Sequence, residues 1–158
     1  MTATALAALF AAALFISLVL NLWLARRHVA YVAAHRDAVP TAFAERIGLS
    51  ADQKAADYTI ARTRLGVFET VVETLLLLAL TFGGGIAALV RLTDVLPFGG
   101  MTRDLALIIA LAVISGLVAI PFSYYRTFGI EVRFGFNRTT RALWFADLVK
   151  GTLIGALL

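Results

Sequence analysis

Long apolar stretches without a charged side chain alternate with shorter, arginine-rich polar stretches along this chain. Residues 1–25, 74–90 and 105–125 contain no Asp, Glu, Lys or Arg. A helix needs about 20 predominantly apolar residues to cross the hydrocarbon core of a bilayer. The pattern therefore predicts an all-α integral membrane helical bundle with three complete transmembrane helices, at about 2–25, 66–91 and 105–125.

Another apolar run predicts the start of a fourth transmembrane helix near residue 143. Only eight residues, GTLIGALL, follow Lys150, which is about 12 Å of helix and too short to cross from that point. We therefore expect residues 1–158 to be the N-terminal transmembrane region of a longer protein. The alternative is that this last stretch lies back on the membrane surface.

Composition supports a lipid environment and narrows the possible functions. Hydrophobic residues make up 61% of the chain, whereas a soluble domain is about half apolar. Because the chain has no cysteine, disulfides and thiolate metal sites are excluded. The net charge of +4 comes from cations beside apolar runs, so we expect membrane lipid as a partner and no nucleic acid.

The distribution of cations predicts the orientation in the membrane. Residues 26–65 contain seven Lys or Arg side chains and residues 126–141 contain four, whereas only Arg91 and Arg103 flank the short turn between spans two and three. Cytoplasmic connections are enriched in such cations. We therefore expect the N-terminus and the short turn outside, and the Ala- and Arg-rich composition favours a bacterial inner membrane.

Local signals predict the ends of helices in the first polar connection. Pro40 should break the chain, and Gly48 is a candidate stop for a short helix after it. Ser50 and Gln53 have the spacing of a capping box, which predicts the start of the next helix. Further on, the three glycines at 83–85 are interpreted as a packing feature, because small residues let membrane helices approach closely.

Glu69 and Glu73 are the acids that the apolar pattern places at the end of a span. They are four residues apart and so share one helix face, and acids at that depth normally face a polar interior or a cavity. Two interpretations stay open. The pair lines a water-filled chamber or binds arginines, or it lies at headgroup depth and pairs with Arg62 or Arg64.

Aromatic residues, arginines, Gly, Asn and Thr are concentrated in the stretch 121–151, PFSYYRTFGIEVRFGFNRTTRALWFADLVKG. Its charged and polar loop candidates are Arg126, Glu131 and Asn137. They predict either an ordered loop near the entrance or wall of an active site, or a basic loop that only holds spans three and four in register. Pro121 should kink or end span three.

Backbone signals also recur within this stretch. Gly135 and Asn137 favour a tight turn, and Thr139 or Thr140 can cap a helix that begins near Arg141.

The histidines do not form a metal site. His28 and His35 are seven residues apart, which is too far for one metal in a regular helix, whereas catalytic zinc needs His at i and i+4 plus a third ligand. No HExxH motif occurs. We therefore expect no catalytic residue and no bound metal in this chain.

The order and spacing of several short motifs resemble the N-terminal membrane region of the CAAX prenyl endopeptidase family, the membrane-integrated zinc metallopeptidases. The resemblance covers about residues 25–158, and its strongest piece is 121–137. The other matching pieces are Val39-Pro40, Lys54-Ala55, Asp57-Tyr58, Glu69, Thr140, Asp147 and Lys150.

This resemblance implies that the parent protein is a multi-span zinc metalloendopeptidase that encloses a large chamber and cleaves peptides or prenylated proteins. In that family, two His of HExxH and a Glu from a later helix hold zinc, and the HExxH Glu activates the bound water. Because those motifs are absent here, only a chamber-wall or loop role carries over, to Glu69, Glu73, Glu131 and Asn137. The alternative is a free-standing membrane scaffold or regulatory protein without catalytic activity.

Overall fold

A computed structural model of the chain describes residues 2–39, 48–94 and 99–157. Within these ranges all regular structure is helical, so the all-α prediction is confirmed. Pro40 and most of the short turn near residue 97 lie outside the described residues. The elements in order are α1 (Ala3–Ala34), α2 (Leu49–Thr81), α3 (Gly85–Asp94), α4 (Met101–Tyr125), a π-helix (Arg126–Glu131) and α5 (Arg141–Leu157).

The first predicted span lies within α1, which continues well beyond it. Thr2 caps the helix, since its Oγ1 accepts from the backbone N–H of Ala5 at 3.3 Å. The helix is 32 residues long and apolar enough to cross a membrane. It packs along α2 as a helical hairpin, and its last turns carry the arginines that begin the polar connection.

The start of α2 corrects one local prediction. The helix begins at Leu49 with Gly48 as its N-cap, and no side chain caps it. The Ser50–Gln53 capping box is therefore wrong, whereas the short helix that Gly48 was expected to stop lies outside the described residues. Gln53 instead donates from Nε2 to Oδ1 of Asp37 at 2.7 Å, because the end of α1 offers a carboxylate close by.

The second predicted span is divided by a bend of 56° between α2 and α3. Gly84 has a φ of +78°, a conformation that L side chains rarely adopt. A Cβ on Gly83 would lie 2.5 Å from the carbonyl oxygen of Ala79. The glycine triplet therefore makes a bend, where the sequence predicted close helix packing. By length and apolarity two helices can cross a membrane, or three if the bent pair is one span.

Span three is longer than predicted, because α4 runs from Met101 through Pro121 to Tyr125 and continues directly into the π-helix. Pro121 therefore does not end it. Among the described residues, the buried apolar side chains are Phe122, Ile130 and Phe134. All three lie around the π-helix, so the small core of this chain sits where the end of α4 meets α2.

The last helix, α5, begins at Arg141, two residues before the predicted start of the fourth span. Oγ1 of Thr140 accepts from the backbone N–H of Leu143 at 3.2 Å, which confirms Thr140 as the cap. This helix contains 17 residues, or about 25 Å.

Candidate functional site

The described ion pair between Glu69 and Arg126 joins α2 to the first residue of the π-helix. Nη2 of Arg126 donates to Oε2 of Glu69, and the two side chains are 33% and 20% exposed. This contact bears out the interpretation of Glu69 as the partner of an arginine. The alternative pairing with Arg62 or Arg64 is not found among the ion pairs of the described residues, and Nη1 of Arg62 lies 3.5 Å from the hydroxyl of Tyr58.

Glu73 lies one helical turn beyond Glu69 on the same face of α2. Its side chain is exposed, and no cation of residues 2–39, 48–94 and 99–157 forms an ion pair with it. The two acids on this face of α2 therefore have different surroundings. Glu69 is paired with Arg126, and Glu73 is exposed.

The π-helix positions Arg126 and buries Ile130, which is 5% exposed. Single π-helical turns are rare and are often found at functional sites. Glycine is favoured in its middle, at position 129, since an added Cβ would lie 2.9 Å from ring carbons of Tyr125 unless that ring moved. This element was not predicted from the sequence, because each of its backbone hydrogen bonds spans only one residue more than in an α-helix.

The loop after the π-helix is an ordered turn. The carbonyl oxygen of Glu131 accepts from the backbone N–H groups of Phe136 at 2.8 Å and Asn137 at 3.2 Å. Gly135 has a φ of +69°, and Oδ1 of Asn137 accepts from the backbone N–H of Thr139 at 2.6 Å. The tight turn predicted at Gly135 and Asn137 is confirmed, and Glu131 contributes to it through its backbone.

Aromatic contacts hold this loop against the polar half of α2. The ring of Tyr58 packs edge-on against Phe134 at 5.7 Å and Phe136 at 4.9 Å between centroids. Nζ of Lys54 lies 5.2 Å from the centroid of Phe136, close enough for a cation–π interaction. The turn that follows the π-helix is therefore fixed to the polar, N-terminal half of α2, outside the apolar span.

Arg36 and Asp57 form a bidentate pair between the residues after α1 and the polar half of α2. The Nε–Oδ1 and Nη2–Oδ2 distances are 2.8 and 2.9 Å. The hydrogen bonds from Arg36 lower the pKa of Asp57 below its usual range, partial desolvation opposes the shift, and the charges of Arg36 and Arg133 add to it. The same pair raises the pKa of Arg36. Sequence reasoning missed Arg36, although Asp57 lies in one of the family-like motifs.

Trp144 connects α5 to α4. Its Nε1 donates to Oγ of Ser123 at 3.3 Å, and its ring packs edge-on against Tyr124 at 5.5 Å and Phe128 at 6.3 Å. These contacts were also missed, because they depend on the path of the chain through the π-helix and the following turn.

Two open grooves lie along α2. One, of about 250 Å³, lies between α1 and α2, and its mixed lining includes the polar side chains of Asn21, Thr63 and Thr70. The other, of about 330 Å³, lies between α2 and the π-helix and carries Arg64, Tyr125 and Arg133. Neither holds a nucleophile with a base beside it.

The residues that the structure describes do not fit a zinc site. In the described part of the chain, no group of three or more His, Asp or Glu side chains could hold a metal. His35 packs on Tyr31 with ring centroids 4.2 Å apart, and its Nδ1 lies 2.8 Å from the carbonyl oxygen of Tyr31. The contacts described above hold helices and loops in place.

Comparison with known proteins gives one consistent result. The family model for "CAAX prenyl protease N-terminal, five membrane helices" matches residues 28–158. The chain is 32% identical over 154 residues to the probable CAAX prenyl protease 1 of Schizosaccharomyces pombe, covering 87% of this chain and 31% of that protein. It is 33% identical over 125 residues to the CAAX prenyl protease 1 homolog of Caenorhabditis elegans, covering 77% and 27%. No solved structure matches.

Two features of these matches bear on the earlier predictions. The chain spans about a third of the length of these curated relatives. The relatives are eukaryotic, so they give no support to the predicted bacterial inner membrane.

Proposed function

This chain belongs to the CAAX prenyl protease family through its N-terminal membrane region, and on that basis we propose that it is the N-terminal membrane part of a zinc metalloendopeptidase. The observation that carries the proposal is the match over residues 28–158. The ordered π-helix and turn lie within the matched range, in the segment where the sequence resemblance is strongest.

In this proposal the chain supplies part of the wall of a membrane chamber, and residues outside the chain supply the zinc site. The sequence contains no HExxH, and its curated relatives are about three times as long. When bound, zinc would supply the activated water that attacks the scissile carbonyl. Peptides or prenylated proteins are the proposed substrates of the parent protein.

Within that wall, we assign the chamber side to the face of α2 that carries Glu69 and Glu73. A carboxylate in a membrane-spanning helix normally faces a bundle interior or a water-filled cavity. Glu69 meets this need through Arg126. Glu73 is exposed in this chain, so a polar cavity formed with further helices is the environment that suits it.

The experiment is to purify the protein from its native gene, measure its intact mass and assay cleavage of a prenylated peptide with and without a zinc chelator. We expect a mass well above 17.0 kDa, with cleavage that the chelator abolishes. The 158-residue chain alone should bind no stoichiometric zinc. A native mass of 17.0 kDa would reject the protease role, and the scaffold alternative would replace it.

The orientation is proposed from the positive-inside rule, with the N-terminus outside. Because the chain has no cysteine, single substitutions Thr4→Cys and Ser50→Cys can report it. An impermeant maleimide added to intact cells should label the first variant and not the second; the reverse pattern would invert the topology.

A further inference from the structure

The groove of about 330 Å³ between α2 and the π-helix has a mixed lining that the protease role does not use. One wall comes from α2 and the other from the π-helix and the residues on either side of it. The lining residues are Ala61, Arg64, Leu65, Tyr125, Gly129, Ile130, Arg133 and Phe134. We propose that this groove binds the phosphate headgroup of an anionic phospholipid.

Two guanidinium groups give the groove its charge. Arg64 lines one wall and Arg133 the other, and both are exposed. Among residues 2–39, 48–94 and 99–157, no carboxylate lies within 4.0 Å of either group. Asp57 lies close enough for the charge of Arg133 to lower its pKa, but its carboxylate is held by Arg36 at 2.8 Å. The groove therefore attracts an anion.

The groove lies at the depth of lipid headgroups. Arg64 immediately precedes the apolar half of α2, and Arg133 follows the π-helix that extends the apolar α4. Both cations thus mark the same membrane boundary. Tyr125 lies between them with 58% of its surface exposed, and tyrosine is enriched at this boundary because its ring is apolar and its hydroxyl is polar.

The chemistry of the lining favours a phosphate group on an apolar molecule. Guanidinium groups bind phosphate oxygens through paired, charge-assisted hydrogen bonds. The floor is apolar, with Ile130 and Phe134 only 5% and 9% exposed. Phe68 lies one turn beyond Arg64 on the same face and is 61% exposed, so an apolar surface continues from the groove into the membrane, where an acyl chain can follow it.

The test is native mass spectrometry of the full chain in detergent, titrated with phosphatidylglycerol and with phosphatidylcholine. We expect selective binding of one phosphatidylglycerol. The double substitution R64Q/R133Q should weaken this binding about 25-fold, at about fivefold for each arginine near an anionic surface. R64K/R133K keeps both positive charges but loses the planar guanidinium groups. It should weaken phosphatidylglycerol binding less than R64Q/R133Q does.

A matched control separates this site from general surface charge. R138Q/R141Q removes two exposed arginines of the same polar segment that do not line the groove, and it should leave the affinity unchanged. Equal loss in both double variants at an unchanged melting temperature would overturn the proposal. If inorganic phosphate competes at a concentration similar to that of the lipid, the site binds free phosphate. If a peptide with a free C-terminal carboxylate displaces the lipid in the same way, the site binds a peptide. Either result would reject the lipid proposal.

Discussion

Arg126 donates a hydrogen bond to the carboxylate of Glu69, although the two residues are 57 positions apart in the sequence. The contact joins the middle of α2 to the first residue of the π-helix. Both side chains are mostly shielded from solvent. Removing one partner of such a pair leaves the other charge without compensation, which costs more than the pair itself contributes.

Glu69→Gln should therefore lower the free energy of unfolding by about 1.5–3 kcal/mol, the range for a lost hydrogen bond to a charged group. Thermal unfolding in detergent measures the effect. Glu73→Gln is the matched control, since it removes the same charge from the same face without breaking a described ion pair, and it should change the melting temperature little. If E69Q and R126Q destabilise additively in a double-mutant cycle, the two residues do not interact.

The pair between Arg36 and Asp57 predicts a dependence of stability on pH. The folded state lowers the pKa of Asp57. Its contribution is therefore complete above the pKa of the unfolded carboxyl, about 3.9, and is lost as the pH falls through the lower folded value. The melting temperature of the wild type should fall below about pH 5, and that of Asp57→Asn should fall less.

Asp147→Asn is the control for this measurement, because Asp147 is exposed and forms no ion pair in the described ranges. It should follow the wild type at each pH. An unchanged gap between wild type and D57N from neutral to acid pH would contradict the assignment.

Gly129→Ala tests whether the π-helix needs a glycine at its centre. The new methyl group would lie 2.9 Å from the ring of Tyr125, so the ring must move. Overpacking of this kind typically costs 1–3 kcal/mol, and about 1 kcal/mol is expected here because the ring is exposed and can swing outward. Gly116→Ala in α4 meets no atom within 4 Å and should be neutral or slightly stabilising. Equal melting temperatures of the two variants would show that Gly129 is not sterically required.

Trp144→Ala should release α5 from the end of α4. The substitution removes the hydrogen bond to Ser123 and the ring contacts with Tyr124 and Phe128. Limited proteolysis should then cut the 135–141 turn several times faster than in the wild type. Ser123→Ala keeps the aromatic contacts and removes only the hydrogen bond, which contributes about 1 kcal/mol to stability. It should therefore raise the cleavage rate less than Trp144→Ala does. Trp23→Ala, on the exposed surface of α1, should leave the cleavage rate unchanged.

The membrane-spanning helices were predictable where the physical signal is local. Runs of uncharged residues predicted α1 and α4, and a hydroxyl side chain ahead of an apolar run predicted the cap at Thr140. The turn at Gly135 also follows from local backbone chemistry, since glycine tolerates a positive φ.

The features that depend on distant parts of the chain were not predictable in this way. The partner of Glu69 could not be chosen among the arginines, because side chains far apart in sequence meet only after α2 and α4 have packed. The π-helix changes the register of α4 by one residue per turn, and composition carries no signal for that. The bend at the glycine triplet was not predicted, because glycine serves both close packing and sharp bends, and only the backbone angles reveal the bend.

The contact between Glu69 and Arg126 also bears on the order in which the protein is made. At 5–20 residues per second, about 3–11 seconds separate the synthesis of Glu69 from that of Arg126, 57 residues later. Arg36 and Asp57 are only 21 residues apart, so the base of the α1–α2 hairpin can close first. During translation, the hairpin must therefore carry an acid at the membrane boundary before its counter-charge has left the ribosome.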